Sequence, residues 1–350
     1  MAGSFYNGGL YVSLFSQNFL NRSGSEQWYV DALQHETASF IKNFGHIKTM
    51  QSLLLDRVSD GVQVQQLLDT FDILKTICID DAEITLAITT VLSDQDLIFW
   101  QQKGANRLNI MIHGYVQVLW INFINRAAHY IKNIAVDMVL GDPVMTPVQW
   151  REHCAQIITL PITHISIYFY DSQNGNDKYA WTDDEVADTY VWTVEFLRAA
   201  CFEQYSTYDF ARKGYQSRQQ LVYLEYRAYK GFGPGACSFD LASRYHNITD
   251  VALYTECLLF GGPDNPVWYE WEELSVEQQR MEYCMMRLAG VGLFYQEIAR
   301  ERSVAWIAHF EQALQAMRGA GLLDMRDEFI SIKPRGRLVE NEIIAKFLCV

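Results

Sequence analysis

The sequence predicts an α/β fold in which parallel strands are joined by crossover helices, with a smaller α+β region after it. Three observations predict this fold. Up to about residue 170, short β-branched runs alternate with longer helical stretches. After about residue 205 the alternation stops, and glycine and aromatic residues become frequent. The chain has 350 residues, of which 49% are hydrophobic, so it is long enough to bury a large core.

Six apolar runs are predicted as strands, at residues 10–15, 46–55, 83–89, 107–112, 133–140 and 164–170. Helices are predicted between them, for example at residues 26–43, 62–74 and 94–103. Ser93 and Gly104 are the expected N-cap and C-cap of the third of these helices. Six βα units of this kind indicate an open, partial barrel.

The second half of the chain is predicted from turn and capping signals. A polar break at residues 171–178 ends the βα series, and the capping box Thr182 to Glu185 begins a helix. A glycine and proline loop at 260–266, a long helix after Ser275 and a hairpin-like tail at 329–335 follow. We therefore predict a partial barrel over residues 8–204 and a C-terminal domain over residues 205–350.

Charge and composition exclude several classes of protein. A net charge of −14 argues against nucleic acid as a partner, because phosphate binding needs a positive surface. The most apolar stretch, residues 110–124, is shorter than the roughly 20 residues that span a bilayer, so we interpret it as buried core. The N-terminus has no basic region before its apolar part, as a secretory signal would. Seven dispersed cysteines are typical of reduced thiols in a cytoplasmic protein.

Individual motifs point only weakly to chemistry. Residues 231–236 read GFGPGA, which matches a relaxed dinucleotide pattern, but a proline lies inside it and no apolar strand precedes it. A glycine-rich turn that allows close backbone contact is the better interpretation. No histidine pair has a zinc-binding spacing, and the acidic clusters at 80–83 and 270–273 are interpreted as caps or solvated faces. Cys237 lies in the glycine-rich turn, as either a buried inert thiol, a reactive thiol or a haem-iron thiolate.

A longer frame of residues carries a family resemblance. Residues 205–218 read YSTYDFARKGYQSR, and residues 231–238 read GFGPGACS. This frame resembles the radical S-adenosylmethionine (SAM) family of oxygen-independent coproporphyrinogen III oxidases and their relatives, the haem chaperones. Further matches follow in the family's order at residues 104–108, 126–129, 136–143 and 164–168. The resemblance covers nearly the whole chain and implies a radical-SAM-like partial barrel.

The resemblance also implies a loss of catalytic residues. In the family, three cysteines spaced CxxxCxxC hold a [4Fe–4S] cluster, and the aligned residues here are Gln17, Asn21 and Gly24. These residues supply no thiolate, so no [4Fe–4S] cluster is expected. The glycine-rich strand end that contacts SAM reads QSLLLDR at residues 51–57, and the family's strand glutamate and glutamine are Ala87 and His113.

Other family positions are retained. The SAM positions Tyr11, Arg126 and Asp137 are present, although they are interpreted as relics with structural duties. A candidate ligand site combines five residues of the family's RxH, SR and GPGA motifs, namely His129, Arg218, Gly233, Gly235 and Cys237. The resemblance leaves SAM binding open.

The predicted function is that of a cytoplasmic pseudoenzyme without a cluster, which binds haem, a porphyrin-like ligand or a partner protein. One alternative is an active radical SAM oxidoreductase of porphyrin metabolism whose cluster is held by a partner chain or by residues such as Cys78. Another is a structural subunit that binds no small ligand. Neither nucleic acid nor a membrane span is expected under any of the three.

Overall fold

The computed structural model describes residues 8–14, 26–45, 48–58, 62–171, 181–261, 267–299 and 303–348. The strands are β1 (Gly9–Ser13), β2 (Met50–Val58), β3 (Cys78–Ile88), β4 (Arg107–Met111), β5 (Asn133–Leu140), β6 (His164–Phe169), β7 (Glu203–Gln204), β8 (Asp209–Ala211), β9 (Tyr229–Phe232), β10 (Cys237–Phe239), β11 (Ser243–Asn247), β12 (Trp268–Glu273), β13 (Leu293–Phe294), β14 (Leu323–Arg326) and β15 (Phe329–Ile332).

The helices of the described ranges follow the same chain order. They are α1 (Glu26–Phe44), α2 (Val62–Lys75), α3 (Asp94–Lys103), α4 (Val118–Ala127), α5 (Pro147–Ile157), α6 (Asp183–Ala199), α7 (Arg218–Leu224), α8 (Val251–Phe260), α9 (Val276–Ala289), α10 (Tyr295–Ala299), α11 (Val304–Gly319), α12 (Pro334–Arg337) and α13 (Glu340–Leu348). No helix within these ranges is both long and apolar enough to cross a bilayer.

Twelve strands form one sheet in the order β12-β11-β10-β9-β1-β2-β3-β4-β5-β6-β8-β7. Neighbours from β1 to β6 are parallel, and β9 adds a further parallel strand beside β1. At one edge, β11 is antiparallel to both of its neighbours, β10 and β12. At the opposite edge, β8 and β7 are antiparallel. The predicted series of six parallel βα units is therefore confirmed.

Side chains along each strand alternate between the two faces of the sheet, and helices cover one of these faces. In β3, Ile84, Leu86 and Ile88 are buried in the main core, where residues of helices α1 to α6 pack against them. Successive side chains of a strand point to opposite faces, so Thr85 and Ala87 lie on the other side of the sheet. We call that side the inner face; it carries polar residues on several strands.

The ends of the predicted elements agree with the structure where local signals are strong. Ser93 accepts a hydrogen bond from the Asp96 amide, and Gly104 ends α3 with a φ of 100°, as predicted. The interpretation of residues 110–124 as buried core is wrong in part. The side chains of Val118 and Leu119 are 70% and 57% exposed, because β4 ends at Met111 and these two residues begin α4 on its outer side.

A second hydrophobic core lies in the last quarter of the chain. It combines residues of α9, α11 and α13 with the three-stranded sheet β13-β15-β14, whose hairpin of β14 and β15 corresponds to the predicted tail. The twelve-stranded sheet itself continues past residue 205, since β8 to β12 follow that position. The domain boundary at 204–205 stays a prediction.

One buried carboxylate joins the first helix to the strands added beside β1. Glu36 on α1 is 6% exposed, and its Oε1 accepts hydrogen bonds from Lys230 Nζ at 3.0 Å and Asn247 Nδ2 at 2.9 Å. Its Oε2 accepts from the Gly233 amide at 3.0 Å and the Tyr254 hydroxyl at 2.7 Å. Four donors from β9, the β9–β10 turn, β11 and α8 thus converge on one side chain, which satisfies its charge without water.

We expect Glu36→Ala to lower the free energy of unfolding by about 3–5 kcal/mol, because it leaves the Lys230 ammonium buried without its counter-charge. Urea denaturation measures this loss. Glu195→Ala, at an exposed glutamate of α6, is the matched control and should change little. The double variant Glu36→Leu with Lys230→Met should recover most of the loss. A loss below about 1 kcal/mol in Glu36→Ala would contradict the role assigned to this residue.

Candidate ligand-binding site

A cavity of about 600 Å³ lies between the sheet and the helices α7 and α9. Its walls are largely aromatic, and the rings come from Tyr11, Tyr208, Tyr223, Tyr226, Tyr229 and Phe239. Ring pairs such as Tyr223 with Tyr229 and Tyr226 with Phe239 have centroids 4.8 Å apart, which holds the walls in place. The size falls within the roughly 300–1,000 Å³ that is usual for small-molecule and cofactor sites.

The position of Tyr11 in this cavity depends on a glycine of the neighbouring strand. Tyr11 on β1 is paired with Gly231 on β9. A Cβ atom at Gly231 would lie 2.5 Å from two carbons of the Tyr11 ring, so only glycine leaves room for the ring. The Tyr11 hydroxyl accepts a hydrogen bond from the Cys237 amide. Burial raises the pKa of Tyr11 well above its usual value, so the hydroxyl stays protonated.

The glycines of the turn after β9 have the role that the sequence predicted. Gly233 has a φ of +96°, and a Cβ there would approach the Ser13 carbonyl oxygen to 2.5 Å. Gly235 also has a positive φ, of +69°, and its amide donates to the Ile248 carbonyl. Strand β9 leads into the motif, so the expectation that no strand precedes it is wrong, since pairing with β1 extends this segment. The turn is followed by strand β10, whereas a dinucleotide-binding fingerprint opens a helix.

Cys237, which lines the cavity, contacts His246 on the neighbouring strand. The two residues are register partners on β10 and β11, and Cys237 Sγ lies 3.2 Å from His246 Nδ1. Burial raises the pKa of the Cys237 thiol, while the hydrogen bond with Tyr11 and the charge of Arg244 act in the opposite direction. The sequence analysis did not identify His246, because no motif links it to Cys237 and only strand pairing brings the two together.

Charged residues line the part of the cavity next to α9. Arg244 on β11 forms an ion pair with Glu282 on α9, and the Tyr226 hydroxyl lies 3.4 Å from the same carboxylate. Arg227 and Asp209 also border the cavity. The cavity thus combines apolar walls with a small number of polar groups, as ligand sites usually do.

Two buried carboxyls lie on or beside the inner face near this cavity. Asp137 on β5 accepts a hydrogen bond from Asn109 Nδ2 at 2.8 Å, whereas its Oδ1 has no partner among the described residues. Burial raises the pKa of Asp137 to about 6. Asp209 on β8 accepts from Ser166 and Ser206, and burial raises its pKa as well. Both carboxyls therefore retain protons more readily than exposed aspartates.

Ser217 and Arg218, the SR pair of the family frame, contact acidic residues of β3. The Ser217 hydroxyl and the amides of Arg218 and Gln219 donate to Glu83 Oε1, at 3.2, 3.0 and 3.4 Å. Glu83 thereby caps α7, which confirms the interpretation of the acidic cluster at 80–83 as a cap. The Arg218 guanidinium pairs with Asp81 at 3.0 Å and does not line the cavity.

The structure does not bring all predicted site residues together. Tyr11 and Cys237 line the cavity, Gly233 and Gly235 form the adjoining turn, and Asp137 lies on the inner face. Arg126, by contrast, contacts the Leu92 carbonyl and pairs with Asp94 at 3.0 Å. His129 is exposed and precedes the first residue of β5, away from the cavity. The cluster positions Gln17, Asn21 and Gly24 lie outside the described residues.

The side chains at the family's SAM positions fit that cofactor poorly. Leu54 of β2 lies on the inner face beside Tyr11, in the strand where the family has small glycines. Ala87 on β3 also lies on the inner face and has no polar group to contact a cofactor. Within the described ranges, no group of three His, Cys, Asp or Glu residues is arranged to hold a metal ion.

Comparisons with known proteins agree with this fold. The chain is 20% identical to the heme chaperone HemW of Bacillus subtilis (strain 168), over 95% of this chain and 94% of that protein. It is 26% identical to the mitochondrial radical S-adenosyl methionine domain-containing protein 1 of Mus musculus, over 45% of this chain and 40% of that protein. No protein-family model matches the chain.

A solved structure shows the same fold. The coproporphyrinogen III oxidase HemN from Escherichia coli, described as a radical SAM enzyme, superposes with a TM-score of 0.79 at 16% identity, covering 99% of this chain and 92% of that one. The chain thus shares the fold of HemN, with a parallel βα sheet. It is similar to HemN in fold and to HemW in sequence, and the resemblance predicted from the sequence is confirmed.

The raised pKa of Asp137 predicts a pH dependence of stability. An unfolded aspartate has a pKa of about 3.9, so folding favours the protonated carboxyl. The stabilisation is full below about pH 4 and is lost as the pH rises through about 6, by about 1.4 kcal/mol per unit of pKa shift. Asp137→Asn stays uncharged and should gain stability relative to the unmodified chain over this interval.

Urea denaturation at several pH values between about 4 and 7 measures this difference. Asp188→Asn, at an exposed position of α6, is the matched control and should leave the pH dependence unchanged. Parallel stability curves for Asp137→Asn and the unmodified chain would contradict the prediction.

Proposed function

We propose that this chain binds haem or a related tetrapyrrole in the cavity between the sheet and α9, without radical SAM chemistry. The observation that carries the proposal is the combination of aromatic walls and an accessible thiol in one cavity of about 600 Å³. A flat macrocycle packs well against tyrosine and phenylalanine rings. The names of the relatives, which include heme chaperones, support the same ligand class.

The cavity also offers groups that suit the polar parts of such a ligand. Cys237 is a candidate axial ligand, since haem iron is held by thiolates in some proteins. Arg227 and Arg244 line the same cavity and suit the carboxylates at the edge of a tetrapyrrole. Of the two axial ligands considered from the sequence, His129 is disfavoured because it is exposed and does not line the cavity.

The proposed absence of radical chemistry rests on the residues of the sequence. Reductive cleavage of SAM needs an electron from a cluster, and Gln17, Asn21 and Gly24 supply no thiolate to hold one. Leu54 and Ala87 support the same conclusion, because they replace a small residue and an acidic residue of the SAM site. We expect the protein to act in the cytoplasm, where its cysteines stay reduced.

A haem titration followed by absorption spectroscopy tests the proposal. One equivalent of haem should shift the Soret band and raise the melting temperature, because a ligand that binds only the folded state stabilises it. Cys237→Ala should change the spectrum and weaken binding by about tenfold, or about 1.4 kcal/mol. His129→Ala is the matched control and should leave both unchanged. An unchanged spectrum and melting temperature after haem addition would refute the proposal.

A partner protein is the second candidate, and the edge strand β12 favours it. All six residues of β12 are exposed, and three of them are the aromatic residues Trp268, Tyr269 and Trp271. Its outer edge has no neighbouring strand among the described residues. Exposed edges with large apolar side chains are typical of interaction surfaces. This candidate gains support if haem fails to bind.

A further inference from the structure

The Cys237 thiol at the cavity wall has an imidazole partner, His246, to which the proposed haem site assigns no role. Cys237 Sγ and His246 Nδ1 are 3.2 Å apart, which is hydrogen-bond distance for sulfur. Both residues are partly exposed, and Cys237 lines the cavity, so small molecules in the cavity can reach the thiol. Nucleophilic cysteines in proteins are commonly activated by a base at this separation.

Strand register adds a third group to the pair. Cys237 is opposite His246, and His246 is opposite Glu270 on the edge strand β12. Directly opposed residues on antiparallel strands point to the same side, so thiol, imidazole and carboxylate form a row across three strands. A carboxylate beside a histidine favours the tautomer and orientation in which the other ring nitrogen accepts a proton.

The surroundings of Cys237 make such a base necessary. Burial raises the pKa of the thiol, so at neutral pH it is mostly protonated and unreactive by itself. Arg244 lies near enough to favour the thiolate once it forms, while Glu270 disfavours it. A neighbouring imidazole can accept the thiol proton. The imidazolium that forms is positively charged and stabilises the thiolate beside it.

We propose that Cys237 and His246 form a nucleophilic pair that undergoes thiol–disulfide exchange with small organic disulfides admitted by the cavity. His246 Nδ1 takes the proton of Cys237 Sγ, and the thiolate attacks one sulfur of the disulfide. The disulfide bond breaks as the new bond to Cys237 forms. The second half leaves as a thiolate and receives the proton from the imidazolium, so the exchange consumes no other oxidant.

The remaining described cysteines provide an internal comparison. Cys78, Cys154, Cys257 and Cys284 are buried. Cys201 is exposed and has no imidazole partner among the described residues. If accessibility alone set the reaction rate, Cys201 would react faster than Cys237. If activation by His246 sets the rate, Cys237 reacts faster. The relative rates at these two positions therefore separate the two effects.

The experiment exposes the ligand-free full chain to bis(2-hydroxyethyl) disulfide at neutral pH, quenches it with acid and measures each cysteine-containing peptide by mass spectrometry. We expect Cys237 to form the mixed disulfide faster than Cys201. His246→Gln should slow Cys237 by about a hundredfold and leave Cys201 unchanged. An unmodified Cys237, a Cys237 slower than Cys201, or a His246→Gln rate equal to that of the unmodified chain would each overturn the proposal.

The exchange experiment is independent of haem binding. If His246→Gln does not fold, as judged by its melting curve, the comparison of Cys237 with Cys201 in the unmodified chain decides the matter. Because no haem is present, failure of exchange leaves the proposed haem site unaffected. Loss of haem binding with exchange intact would count against the proposed function alone.

Discussion

The buried carboxylate of Glu36 is the interaction on which the candidate site depends. It compensates the Lys230 charge and fixes the Gly233 amide, so it holds β9 and the glycine turn beside β1. Tyr11 can enter the cavity only because Gly231 lies opposite it in that register. A lone buried ammonium would be costly, and the carboxylate therefore constrains helix, strand and turn together.

Glu83 plays the corresponding part on the other side of the cavity. It accepts hydrogen bonds from the start of α7, whose Tyr223 then forms part of the aromatic wall. Glu36 on α1 and Glu83 on β3 thus attach the chain after residue 205 to the first part of the fold at two separate points. These two attachments position the walls of the cavity.

The sequence predicted the local features well because their causes are local. Strand alternation, the Ser93 cap and the Gly104 cap each depend on a few neighbouring residues. Strand β3 begins at Cys78, before the predicted residue 83, because pairing of Cys78 with Met50 extends it through a polar segment. Glu36 and His246 were missed for a related reason: their partners are distant in sequence, and no spacing pattern marks them. Tyr11 was found only through the family frame, whereas Cys237 was singled out by its glycine-rich turn.

We propose that this scaffold has a ligand cavity but cannot hold an iron–sulfur cluster. Anaerobic reconstitution with iron and sulfide, alongside a radical SAM enzyme as positive control, tests it most directly. After desalting, the chain should retain well below one iron per molecule and show no cluster absorption in the visible region. About four iron and four sulfide per chain, with an absorption that dithionite bleaches, would contradict the account.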